Sequence, residues 1–139
     1  MVYIYIYILF ILIYPYRGNK FIFLVLSFFL GLIIDNCMNT GGIHAFSITF
    51  SAYLRLNFLK FFDGNNFKIQ SDFSIYQLPF IRKIFYIFSL VFIHHFFLFI
   101  LETLQVHQFQ KIFLLRTILC SIFTTILCNI YFFFRKIKR

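Results

Sequence analysis

The chain has 139 residues, 62% hydrophobic, 24% aromatic and 12% charged, with 13 Lys and Arg against 4 Asp and Glu and a net charge of +9. A water-soluble domain has about half apolar and a quarter charged residues, so this composition argues against one and for a membrane protein, as does the mean hydropathy of +0.89. The positive charge is read as topology and attraction to anionic lipid, with no nucleic-acid partner, because no nucleic-acid motif accompanies it.

Five apolar helices are predicted in chain order: Val2 to Tyr14, Phe21 to about Asn36, Ile43 to about Phe62, Ile84 to about Leu104, and Ile112 to Phe134. A bilayer takes roughly 20 residues of helix. The first stretch, thirteen residues, covers only about 20 Å at 1.5 Å per residue. A secretory signal peptide does not explain it, because it lacks a basic start and a small-residue cleavage site. PYRGNK, with Pro15, Gly18 and Asn19, reads as a tight hairpin into the second helix. DGNNFKIQSDFSIYQLP is the most polar run and the one substantial loop, and QVHQFQK separates the last two helices. With no internal repeat or linker, residues 1–139 read as one all-α domain, a polytopic membrane helix bundle of about five spans.

The 25 Phe and 9 Tyr, with many Ile, Asn and Lys and no Trp, look like A+T-rich coding. The residues that resist such a bias therefore carry more information. Three of the five glycines and one of the four acids fall within GLIIDNCMNTGGIHAF, residues 31–46. Cys37, Cys120 and Cys128 show neither C-x-x-C nor Cys/His spacing, so no zinc site, other metal or disulfide framework is expected, and they read as small apolar filler.

Basic residues near membrane ends stay on the cytoplasmic side. Five spans place Arg17, Lys20, Arg55, Lys60, Lys68, Arg82, Lys83, Arg135, Lys136, Lys138 and Arg139, eleven of the thirteen, on one face. The other receives Lys111 and Arg116. The C-terminus is therefore expected in the cytoplasm, and the turn around Asn39 outside.

Gly31 and Asp35 are four apart and share one helix face, where the glycine lets a neighbouring backbone approach. Asp35 lies near the end of its helix, where the helix dipole disfavours an anion, so it needs a donor. Thr40, His44, Asn39 and the backbone of Gly41 and Gly42 are the candidates. The glycines permit the left-handed geometry that ends one helix and starts the next. Two readings stand: a site at the outer membrane boundary touched by a partner or ligand, or a self-satisfied helix hairpin.

His94 and His95 are adjacent on a helix and point about 100° apart, so they do not converge on one metal. His95, Phe99 and Glu102 share a face, and Glu102 and Arg116 reach similar depth across the QVHQFQK turn. A Glu102–Arg116 pair with His95 nearby is expected as an interhelical polar tie. Catalysis is not expected: there is no G-x-S-x-G, no H-E-x-x-H and no phosphate-cradling glycine loop. No catalytic residue and no cofactor is assigned.

Gly31, Leu32, Asp35, Gly42, His44 and Ala45, followed by AYLR at 52–55, match in order and spacing the most recognisable segment of the rod shape-determining protein MreD family. YILFILIYPYR and IHHFFLFILE, the latter with His94, His95 and Glu102, resemble Bacteroidetes-like members, so the likeness covers most of the chain from about Tyr5. Members of that family have six spans with both ends cytoplasmic, and this chain reads as lacking the first. The resemblance implies a fold similar to the substrate-binding subunit of energy-coupling factor transporters. It implies a non-enzymatic component of the cell-elongation machinery in the bacterial inner membrane, scaffolding lateral-wall peptidoglycan synthesis. The implied partners are an MreC-like protein, an MreB-like filament, a RodA-like glycosyltransferase, a class B penicillin-binding protein and membrane lipid. Asp35, Gly42 and His44 carry over as interface or structural positions, not catalytic ones. A small-molecule-binding subunit of a transporter is the alternative, and a respiratory-complex subunit a third reading.

Overall fold

In the computed structural model, the structure describes residues 6–14, 19–63, 78–106 and 113–138, and these are helical with no strand among them. A 3-10 turn, Ile6–Ile8, leads into the short helix α1, Leu9–Ile13, followed by α2 (Lys20–Met38), α3 (Ile43–Asp63), α4 (Phe80–Val106) and α5 (Phe113–Ile137). The expected hairpin at PYRGNK, the polar loop after Asp63 and the QVHQFQK turn fall largely outside the described residues.

Local chemistry sets the helix ends. The Asn19 side chain accepts the Phe21 N–H at 3.0 Å and caps α2. α4 begins four residues earlier than expected, at Phe80, because Pro79 has a fixed φ and no N–H to lose, and its carbonyl accepts the Lys83 N–H at 2.9 Å. Arg82 and Lys83 therefore stand in the first turn of α4 rather than in the loop. α2 runs past Asn36 to Met38 and ends on Asn39 in the left-handed region (φ 55°). Gly41 and Gly42 were expected to end it; they follow the end, with φ of 64° and 101°.

α2 packs on α3, α3 on α4 and α4 on α5, while the N-terminal segment packs on α3 and α5. Ile8, Ile11 and Leu12 are fully enclosed, in a cluster with Phe23, Ile48, Leu59, Tyr86, Leu90 and Phe132. The shortness of the first apolar stretch thus has a physical resolution over the part described. Wrapped by longer helices, it hides its apolar side chains without having to match the thickness of a bilayer.

Three helices, α2, α4 over Phe80–Gln105 and α5 over Leu114–Ile137, are long and apolar enough to cross a membrane. The side-chain distribution of α5 argues the same way. Its inward face carries Thr117, Ser121, Thr124 and Thr125 among Cys120, Cys128 and Phe132, and its outward face exposes Ile118, Ile122, Phe123, Ile126 and Ile130. In water that arrangement is inside out; in lipid it is favourable, because small polar residues pack helices closely and bond locally. The inward hydroxyls do so: Ser121 donates to the Thr117 carbonyl (2.7 Å), Thr124 to Cys120 (2.8 Å) and Thr125 to Ser121 (2.6 Å). The described residues are all-helical, and three of their helices have the length and apolar composition that mark a membrane protein.

Candidate functional site at the α2–α3 turn

Asp35 lies one turn before the end of α2 and is 5% exposed. Its Oδ1 accepts the Thr40 hydroxyl at 2.6 Å, the His44 backbone N–H at 2.9 Å and His44 Nδ1 at 3.0 Å, and its Oδ2 accepts the Ala45 N–H at 2.9 Å. Thr40 Oγ1 is also 2.9 Å from His44 Nδ1. An ionised carboxylate only accepts, and the one hydroxyl proton of Thr40 goes to it. The Nδ1 position of His44 therefore holds a proton, shared between Asp35 and Thr40.

These bonds explain why an anion stands at the unfavourable end of its own helix. α3 starts after Gly42, whose carbonyl accepts the Phe46 N–H at 3.0 Å, which makes Gly42 the capping residue. A capping side chain accepts from the second and third residues of the helix, here His44 and Ala45. Gly42 has no side chain to offer, and its φ of 101° is one that L residues rarely adopt. Asp35 supplies the missing oxygen from the neighbouring helix and sits at the positive end of α3. The carboxylate is disfavoured by α2 and favoured by α3, and its bonds decide in favour of α3.

Gly31 allows this approach. A Cβ there would lie 2.3 Å from Ala45 Cα and 2.7 Å from Ala45 N, closer than nonbonded atoms come. The packing face expected from the Gly31–Asp35 spacing is thus the α2–α3 contact itself, and Gly31, Asp35, Gly42 and His44 form one unit. Of the two readings of Asp35, the geometry supports the hairpin that satisfies its own carboxylate.

The histidines add a connection that spacing did not reveal. Tyr7 Oη and His94 Nε2 are 2.8 Å apart, and the Tyr7 ring stands edge-on to both His94 (centroids 5.3 Å) and His44 (6.0 Å). Tyr7 therefore joins the turn to the middle of α4. His94 and His95 have perpendicular rings, as expected for adjacent helix positions. His95 Nδ1 bonds the Val91 carbonyl at 2.8 Å, and its Nε2 is 3.5 Å from Thr124 Oγ1 on α5.

The expected Glu102–Arg116 tie is corrected. No ion pair joins these residues; the ion pair between described residues is Asp35–His44 at 3.0 Å. The Arg116 guanidinium instead lies 4.8 Å from the centroid of Phe99, whose ring also meets His95 at 6.0 Å. Phe99, one turn before Glu102, fills the place expected for the carboxylate, and a weakly hydrated guanidinium stacks on an aromatic face.

Arg55 is the residue that sequence reasoning misplaced. Counted with the cytoplasmic basic face, it is 3% exposed within α3. It donates from Nη1 to the Ile11 carbonyl and lies 4.5 Å from the Phe23 ring centroid. Ile11 is in the last turn of α1, where carbonyls lack helical partners, so Arg55 closes the end of α1 as Asp35 closes the start of α3. Its position in AYLR, midway along an apolar helix, was the signal available. Cys120 and Cys128 are buried filler as expected, while Cys37 is exposed at the end of α2. No protein-family model, curated protein or solved structure matches this chain.

Proposed function

We propose that this chain is a non-enzymatic membrane component of the bacterial cell-elongation complex, of the MreD kind. It would scaffold lateral-wall peptidoglycan synthesis beside an MreC-like protein, an MreB-like filament, a RodA-like glycosyltransferase and a class B penicillin-binding protein. In this reading α3 and the N-terminal segment join the three long apolar helices in a bundle of about five spans, similar to the substrate-binding subunit of energy-coupling factor transporters. The bundle lies in the inner membrane with the C-terminus cytoplasmic. Burial of Arg55 removes one cation from the cytoplasmic count and leaves the bias intact, with ten of thirteen on that side.

One observation supports the reading most. The residues that carry the resemblance, Gly31, Asp35, Gly42, His44 and Ala45, are packed into a single unit in which each has a physical task. A rigid hairpin that presents apolar outer faces suits a scaffold for a partner's membrane helix. Depletion in the native cell tests it: rods that widen and round support the proposal, and unchanged shape refutes it. Co-purification with an MreC-like protein favours scaffolding, whereas thermal stabilisation by a small solute favours the transporter reading.

A further inference from the structure

α4 and α5 run antiparallel, since His95 meets Thr124 while Phe99 meets Arg116, so the start of α4 lies beside the end of α5. Arg82 and Lys83 stand in the first turn of α4, Arg135 and Lys136 in the last turn of α5. Lys83 is half-buried, with its ammonium 5.7 Å from the Phe80 ring centroid, and the antiparallel register of α4 and α5 sets it at the level of Lys136, a charge of the same sign. The α4 cations also sit at the positive end of a long helix, where the dipole disfavours them. The first turn of α4 contains no acid. The acids whose side chains are described, Asp35 and Glu102, lie toward the opposite ends of α2 and α4.

Repulsion of this kind is relieved by an anion, and the surroundings say which sort. Phe80 (68% exposed) flanks the cations on α4, and Phe133 and Phe134 (each 62%) flank them on α5. A soluble anion gains nothing from that apolar surface. An amphiphile places its charge on the lysines and its chains on the rings. We propose that Arg82, Lys83 and Lys136, with Phe80 beside Lys83 and with Phe133 and Phe134 on the membrane side of Lys136, form a docking site for the phosphate headgroup of an anionic phospholipid. The proposal rests on the membrane placement of the apolar helices and is independent of the elongation reading.

The full chain, purified in micelles containing phosphatidylcholine, is titrated with phosphatidylglycerol while its thermal unfolding is followed. Each cation in a diffuse basic surface is worth about fivefold in lipid affinity, wherever it lies. A site predicts more than about twenty-five-fold loss for Lys83→Gln with Lys136→Gln, and less than about fivefold for Lys20→Gln with Lys60→Gln. Equal losses in the two pairs overturn the proposal, as does equal stabilisation by inorganic phosphate. Removing the repulsion, the Lys83→Gln and Lys136→Gln chain unfolds no lower than the native one in phosphatidylcholine alone; a lower transition overturns the site. Failure of the native chain to enter phosphatidylcholine bilayers would count against the membrane placement instead.

Discussion

Replacing Asp35 by Ala removes the acceptor of four donors: two backbone amides, the Thr40 hydroxyl and the His44 ring. The last two lie 2.9 Å apart and can bond each other, so the cost falls on the His44 and Ala45 amides. A buried donor left without an acceptor costs about 1–3 kcal/mol, which puts Asp35→Ala at about 3–4 kcal/mol. Asp35→Asn keeps an oxygen for one amide and turns an NH2 group toward the other, for about 2 kcal/mol by the same reasoning. Unfolding in mixed micelles, followed by far-UV circular dichroism, should rank native above Asn above Ala. Amide exchange is the sharper assay: at His44 and Ala45 it should quicken about a hundredfold in Asp35→Ala. Stability within about 0.5 kcal/mol of native, with both amides still protected, would refute the capping argument.

Gly31→Ala should cost at least about 1–3 kcal/mol, because its Cβ meets backbone that cannot give way; a neutral result in the same unfolding assay would mean that the α2–α3 contact is looser than described. Gly42→Ala has open space around its Cβ, so its cost is conformational alone, about 1–2 kcal/mol, and a Gly42→Asn chain should recover part of it in parallel melts. Glu102→Gln should change stability by less than about 0.5 kcal/mol, and a reversal of Glu102 and Arg116 should show no rescue in a double-mutant cycle. Arg55→Met should destabilise by about 3 kcal/mol or more, since it strips the Ile11 carbonyl of its donor and Phe23 of its cation; unfolding with and without Arg55→Lys, which keeps the charge, separates the two contributions.

Much of this arrangement was legible in the sequence, for identifiable reasons. Long apolar runs mark helices wherever the chain must satisfy its own backbone, so α2, α3 and α5 fell close to expectation. The i, i+4 spacing of Gly31 and Asp35 fixed a shared face, and the glycine pair announced a turn. What could not be read was contact between elements distant in the chain. Nothing at Tyr7 indicates His94, 87 residues away, nor does Arg55 point to Ile11, 44 residues before it. The tie expected at Glu102 failed for a related reason. Depth in a hairpin puts two residues at one level but does not fix rotation about the helix axis, and Phe99 took the place over Arg116.

The two buried charges show how a small apolar bundle uses ionisable groups to close helix ends. Lipid offers no water to a helix end, so every interior end needs an acceptor or donor from the protein. α3 begins inside the bundle and receives Asp35; α1 ends inside it and receives Arg55. Both charges face inward and are consumed by backbone, which limits how the proposed scaffold can recognise a partner. Its outer faces offer Phe21, Phe28, Phe29 and Ile33 on α2, and Ile122, Phe123 and Ile126 on α5, so recognition of a partner's helix would rest on shape and apolar contact. Asp35 variants should therefore lose partner binding only in step with loss of the fold. An Asp35→Asn chain that stays folded in micelles yet no longer captures the MreC-like protein would show that the carboxylate meets the partner directly, and that the hairpin geometry is not its final use.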